Sequence, residues 1–400
     1  MDTQNATPPL LSTATTNSDE QFLIRFHSSL KYCALDHSSS LSRTISYLTF
    51  FTLTIIIPIS YSHLLPTAAY SLLSQLPESI LATISFFTLS SSFQHLLLLN
   101  GLRHDSPAVR RAYTREIDRA FRHLAAILLP SFAVELAHKT FLFASPASAQ
   151  PWKAAALAAA LASWVYRTGV FLLVCVFFRM TCELQILRFE EFYKMFELGG
   201  GAAAVEVAEV EAEAMMFREH LRIRRLLKAM SHRYRIFIIG CVVTITVSQL
   251  GALVMVFATK GDKNFCNSGE LVVCSVVQLS GFLMCLFGAA RITHRAQRVV
   301  SIASRWHMMM SSSSTTKLEA IVNLDESDGE DYESKHSFQP SISQTRSSFE
   351  SRQALVTYLQ HNGGGITIFG FALDRGLLHT LFAFEMTLVL WILSKVVVLS

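Results

Sequence analysis

The residues of this chain best placed to do chemistry are the charged and amide side chains that interrupt its apolar stretches. Glu135, His138 and Lys139 share one stretch at spacings of three and four, which puts them on one helix face. Arg167 lies inside the next stretch, and Gln94 and His95 lie inside an earlier one. Such groups are costly in an apolar medium unless paired, and by default they mark function. Counted from the ends of their stretches, Glu135 and Arg167 fall at similar depth, so the spacing predicts that they pair. Two readings stay open. The cluster is either a satisfied polar contact that fixes helix register, or the lining of a pocket for a small molecule entering from outside. Gln94 and His95 fit either one.

Enzyme chemistry has no foothold. The chain lacks a His-Glu-x-x-His zinc motif, a Gly-x-x-x-x-Gly-Lys phosphate loop and a Gly-x-Ser-x-Gly nucleophile elbow. Its 14 histidines form no clustered boxes of the kind a membrane di-iron centre needs. No catalytic residue, metal or cofactor is expected. The seven cysteines fit no zinc spacing; most fall in apolar stretches or on the cytosolic side, where thiols stay reduced. Cys266 and Cys274 are the one pair near an outer face, either bridged or free.

What positions these groups is a set of membrane spans. Half of the residues (51%) are hydrophobic, 16% are charged, and the mean hydropathy is +0.37. Apolar runs of about 18 residues or more read as spans. Seven occur: 44–65, 80–99, 124–144, 154–178, 236–258, 271–290 and 377–399. No short apolar run with a cleavage site precedes the first, so the N-terminal tail is expected to remain. Lys and Arg then set the orientation. Twenty-six lie in the tail and in the segments 101–122, 181–233 and 291–375, against three (Lys153, Lys260, Lys263) on the other side. The expectation is an all-α seven-transmembrane helical bundle with a cytoplasmic N-terminus and an extracellular C-terminus. A G-protein-coupled receptor has the opposite orientation, so no G protein is expected. The net charge of +4 is too modest to suggest nucleic acid.

The expected organisation is a cytoplasmic tail over 1–43, with 1–20 disordered, and spans one to four over 44–178. A cytoplasmic helical stalk follows over 179–233, stopped once at Gly199-Gly200-Gly201, and then spans five and six over 234–292. The cytoplasmic segment 293–375 holds a Ser-rich, acidic linker at 311–351 and an amphipathic helix at 352–362. The last span occupies 376–400. The linker carries 12 serines and 8 acidic residues, a composition that cannot bury enough apolar surface to order itself. Within it Ser327 is a phosphorylation candidate, because acids follow at the next and third positions; phosphate adds about −1.5 to −2 charge. The alternative is an inert spacer.

The ending is distinctive: an amphipathic helix, the break Gly363-Gly364-Gly365, the run Gly370-Phe371-Ala372-Leu373-Asp374-Arg375, and a last span with almost nothing after it. This resembles the last transmembrane segment of insect gustatory and odorant receptors. From about Tyr32 onward the chain resembles plant gustatory-receptor-like proteins, a family labelled as of unknown function. Val109-Arg110-Arg111-Ala112-Tyr113-Thr114-Arg115, Ser231-His232-Arg233-Tyr234-Arg235 and Ile292-Thr293-His294-Arg295-Ala296-Gln297 carry that likeness.

The resemblance implies a ligand-gated ion channel subunit in the plasma membrane. It also implies a homotetramer, or a hetero-oligomer with a relative, whose last span lines a central pore, and an unidentified small-molecule ligand. In the insect receptors that helix reads Thr-Tyr-apolar, five residues, then Gln-Phe or Gln-Leu. Counting from Arg375 places Thr387 at the Thr and Lys395 at the Gln. The gate residues correspond to Ile392, Lys395 and Val396, and Glu385 lies further inward.

Lys395 departs from the pattern. Ammonium groups crowded at about 4 Å repel by about 4 kcal/mol per pair at an effective dielectric of about 20. The lysines then snorkel outward, or the pore favours anions, or none conducts. Glu385 either offsets that charge or selects cations. The alternative function is a non-conducting small-molecule carrier or membrane scaffold.

Overall fold

The computed structural model describes residues 40–64, 68–96, 105–143, 152–198, 206–258, 265–325 and 339–398. In chain order the elements are α1 (Ser40–Phe51), a π-helical turn (Thr52–Ile56), α2 (Ile57–Leu64), α3 (Ala68–Leu96), α4 (Pro107–Phe143), α5 (Trp152–Leu198), α6 (Glu206–Ala258), α7 (Phe265–Asp325), α8 (Gln339–His361), β1 (Thr367–Ile368), β2 (Phe371–Ala372) and α9 (Arg375–Val398). The described residues of each of the seven apolar stretches fall on helix, with the π-helical turn inside the first. Among the described residues, five helical segments are long and apolar enough to cross a membrane: those within 41–60, 107–141, 153–197, 211–254 and 273–312.

The helices divide into two compact units. The first comprises 1–180, 233–286 and 379–400, and the second 181–232 and 287–378. In the first unit α5 is central: Val170 through Phe178 are buried without a break. A helix apolar on every side belongs in a core rather than at a surface. Gly281 of α7 makes this packing close, since a Cβ there would lie 2.8 Å from Phe171 Cε1. Around α5, other helices leave apolar side chains uncovered. Leu41, Ile45 and Leu48 of α1, Leu129 and Phe141 of α4, and Ile236, Val243, Val247 and Val254 of α6 are exposed. An apolar stripe of that length facing outward suits lipid.

The π turn has a local cause. Pro58 lacks an N–H and leaves the carbonyl four residues back without its helical donor. That carbonyl, of Thr54, accepts from Ser79 Oγ of α3 at 3.2 Å. Ser163 Oγ of α5 donates to the neighbouring Leu53 carbonyl.

In the second unit, α5 and α7 are joined by ion pairs between Glu183 and Arg291, and between Glu190 and Arg295 at 3.1 Å. Tyr193 Oη donates to the Arg295 carbonyl. Phe192, Phe196, His220, Trp306 and Tyr358 form an aromatic cluster across α5, α6, α7 and α8. Helix α8 buries Leu355, Val356 and Leu359 on one face. The glycine break lets the next segment lie close to its neighbours: a Cβ at Gly365 would sit 3.0 Å from Thr293 Cγ2, and one at Gly364 3.3 Å from Ala296 Cβ.

Two expectations about loops are corrected. Residues 101–122 are expected as a loop, yet α4 begins at Pro107. Ser106 Oγ accepts from Val109 N, an N-cap followed by proline in the first helical position, and that pair starts a helix. The stretch 311–351 is expected as a disordered linker, yet α7 runs to Asp325 and α8 starts at Gln339. The run Lys317-Leu318-Glu319-Ala320-Ile321-Val322 supplies helix-forming residues that a Ser-plus-acid count overlooks. Ser327, the tail 1–39 and Gly199–Gly201 lie outside the described residues.

Candidate functional site

The first unit contains a buried ionic centre. Arg167 of α5 meets Glu78 of α3, with Nη2 3.2 Å from Oε2. Its Nη1 also donates to the Gln75 carbonyl at 3.1 Å and to Ser79 Oγ at 3.2 Å. Both charged side chains are buried. Glu78 Oε1 accepts from the Cys274 thiol of α7 at 2.6 Å. Three helices therefore converge on one carboxylate, and Ser79 links the centre onward to the carbonyl freed by Pro58.

This corrects the expected pairing. Glu135 does not meet Arg167; it pairs with Lys139 on its own helix at 2.9 Å, and both are buried. Depth counted from span ends misleads because α3 starts at Ala68 rather than Ile80. Glu78 and Ser79, read as lying just before a span, are thus well inside a helix. Cys274 is a free thiol, so it is not bridged to Cys266.

A narrow cleft opens beside this centre, lined by Glu78, Leu81, Arg167, Thr168, Phe171, Cys274, Val277 and Gln278, with enclosed room for little more than a water molecule. Gln278 lies one helical turn beyond Cys274. It is 4% exposed, and neither Nε2 nor Oε1 has a hydrogen-bond partner. A buried amide left unsatisfied costs about 1–3 kcal/mol, and a polar guest in the cleft would recover that cost. The cleft has a cation, an acid, an amide and an aromatic ring within reach of one another. That set offers partners to a polar guest beside apolar walls, and a guest larger than water requires the cleft to widen.

A second polar contact joins α9 to α6. Glu385 accepts from Thr246 Oγ1 at 2.6 Å. With its amide turned to donate, Gln249 Nε2 is 3.1 Å from both Glu385 Oε2 and the Glu385 carbonyl. Leu378, Glu385 and Val389 are buried, whereas Phe384, Thr387, Leu390 and Trp391 are exposed. The single-chain geometry thus turns Glu385 inward against α6, and an exposed pore-lining position does not describe it. Thr387 lies on the far side of the helix from it. Ile392 and Lys395 lie on α9 with Val396, and Gln94 and His95 lie on α3; the side chains of these five lie outside the described residues. His138 is half-buried beside the Glu135–Lys139 pair.

Sequence reasoning found Arg167 but missed Glu78, Ser79, Cys274, Gln278, Thr246 and Gln249. The sequence signal available was Gln75-Leu76-Pro77-Glu78-Ser79, an acid and a serine immediately before an apolar run. Among the described residues no group of His, Cys, Asp and Glu forms a metal site.

Five helical segments long and apolar enough to cross a bilayer, with an outward-facing apolar surface, mark a nearly all-helical membrane protein. Its fold is that of the insect olfactory receptors. It is similar to the receptor OR5 from Machilis hrabei, with a TM-score of 0.60 at 11% identity over 93% of this chain and 98% of that one. Against the same receptor in complex with eugenol, the TM-score is 0.55 at 12% identity, over 94% and 99% of the two chains. Residues 21–384 match the DUF3537 family, described as proteins of unknown function, and the chain belongs to that family. No curated protein matches it by sequence.

Proposed function

We propose that this protein is a chemoreceptor-like subunit of a tetrameric ligand-gated ion channel. The cleft at Arg167 and Gln278 is the ligand site, and α9 lines the pore. One observation carries the ligand half of this reading: Gln278 is buried and unsatisfied in a cleft beside the Glu78–Arg167 pair. The receptor fold, seen with a small molecule in OR5 from Machilis hrabei, supports it. Glu78, Arg167 and Gln278 bind and orient the ligand's polar head, and Leu81, Phe171 and Val277 bury its body. The Glu135–Lys139 pair with His138 serves α4 packing in this reading. The Glu385–Thr246 contact holds α9 to α6, so movement of α6 is passed to α9. The exposed face at Thr387 is left to meet symmetry-related copies, with Ile392, Lys395 and Val396 at the narrow end.

Native mass spectrometry of the full chain in nanodiscs is the first test. A tetramer supports a shared pore and leads to bilayer recordings of wild type beside Lys395→Gln, which is expected to change ion selectivity. A monomer, or a tetramer that passes no current with any member of a small-odorant panel, removes the channel reading and leaves a non-conducting carrier or scaffold.

A further inference from the structure

Glu385 is the one carboxyl group on α9, and its side chain is 1% exposed. Its hydrogen-bond partners both lie on α6 within the same compact unit, and both are neutral. Thr246 Oγ1 lies 2.6 Å from Oε1. Gln249, also 1% exposed, turns its amide so that Nε2 donates at 3.1 Å to Oε2 and to the Glu385 carbonyl. Among the described residues no cation forms an ion pair with Glu385. The buried cations of this unit, Arg167 and Lys139, are taken by Glu78 and Glu135. Along α6 the stretch 237–258 holds a single titratable side chain, Cys241, which is buried five residues before Thr246. On α9 the exposed His379 stands six residues before Glu385, and Lys395 ten residues after it.

Counting protons across this contact shows that one is missing. Thr246 Oγ1 has a second oxygen at hydrogen-bond distance, the Val242 carbonyl one turn back on α6, at 2.8 Å. A hydroxyl carries one proton and a carbonyl none. With an ionised carboxylate, that single proton serves either Val242 or Glu385, and the other contact sets two oxygens against each other with no hydrogen between them. The carboxyl is the group able to supply the second proton. In its acid form the count closes: Oε1–H donates to Thr246 Oγ1, the Thr246 hydroxyl donates to the Val242 carbonyl, and Gln249 donates to Oε2. The acid form also avoids a buried charge that no cation meets.

We propose that Glu385 is a proton-binding site. The group is a neutral carboxylic acid at neutral pH, and the proton on Oε1 joins α9 to α6 through Thr246. Release of that proton to water leaves an uncompensated charge between the two helices and loosens the contact. The inference holds whether or not the protein conducts or binds a small molecule.

The test is infrared spectroscopy of the full chain in nanodiscs at neutral pH, for wild type, Glu385→Gln and Thr246→Val. The wild type minus Glu385→Gln difference is expected to show the C=O stretch of a protonated carboxyl, moving to lower wavenumber in D2O. In Thr246→Val the same band is expected to persist and move to higher wavenumber, because the acid has lost its acceptor. Carboxylate stretches in place of the acid band would overturn the proposal, and so would an acid band that Thr246→Val leaves unmoved. Should Glu385→Gln fail to fold, the wild type minus Thr246→Val difference decides alone: a paired shift of the acid band supports the site, and a flat spectrum overturns it. Hydrogen exchange along α9, corrected for its intrinsic rise with pH, is expected to quicken in wild type as the acid band gives way at higher pH. Equal exchange in wild type and Glu385→Gln throughout would overturn the role of the proton in holding α9.

Discussion

Replacing Arg167 with leucine removes the cation that lies 3.2 Å from the Glu78 carboxylate. The carboxylate would remain buried and charged, with the Cys274 thiol as its hydrogen-bond donor. The Gln75 carbonyl and Ser79 hydroxyl would also lose a donor. Breaking one side of a buried ion pair costs about 3–5 kcal/mol, because the surviving charge keeps its desolvation penalty without its partner. Removing both charges together is far cheaper, since no lone ion is left in the interior. The double variant Glu78→Leu/Arg167→Leu is therefore expected to recover most of the loss, with a coupling of about 3 kcal/mol or more. This exceeds the roughly 0.6 kcal/mol average for hydrogen bonds between membrane helices, so the measurement separates an ion pair from an ordinary polar contact. The assay is reversible unfolding of the full chain in mixed micelles with increasing dodecyl sulfate, read by far-UV circular dichroism. A parallel cycle of Glu135→Leu with Arg167→Leu is expected to be additive within about 0.5 kcal/mol, as for groups that share no partner. If Arg167→Leu costs under about 1 kcal/mol, or couples to Glu135 instead of Glu78, the account of this centre is wrong.

Gly281→Ala is expected to lose about 1–3 kcal/mol by overpacking, because the new methyl would meet Phe171 Cε1 at 2.8 Å within the core. Gly169→Ala meets nothing within 4 Å and is expected to gain about 0.5–1 kcal/mol by restricting the unfolded chain; the same unfolding assay checks both signs. His220 lies on the charged part of α6 outside the apolar stretches, and burial followed by the nearby Arg224 pushes its pKa down to about 4. A depressed histidine pKa makes the unfolded chain bind the extra proton first, so stability is fully present above about 6.5 and is lost as pH falls towards about 4. Melting curves across that window should show this loss in wild type and a flatter profile in His220→Phe; parallel profiles would contradict it.

Some of this protein is legible from hydropathy alone, because span propensity is a local sum over about 20 residues. The described residues of all seven apolar stretches are helical, and Arg167 stands out as a cation that must find a partner. Helix α8 buries Leu355, Val356 and Leu359 on one face. Which partner Arg167 finds is a different matter. Pairing depends on where each helix starts, how it is rotated and how far it is shifted along its neighbours. Those quantities come from packing: the close approach of Gly281 to Phe171, the π turn before Pro58, and the extra N-terminal length of α3 that carries Glu78 inward. The same holds for Glu385, whose spacing on α9 fits a pore stripe and a packed face equally well until α6 supplies Thr246 and Gln249. Composition determined that these charges must be paired or put to use, because an apolar medium penalises a lone ion. Only the tertiary structure decided the pairs, because a pair requires two side chains to meet in space, and no local pattern encodes the meeting.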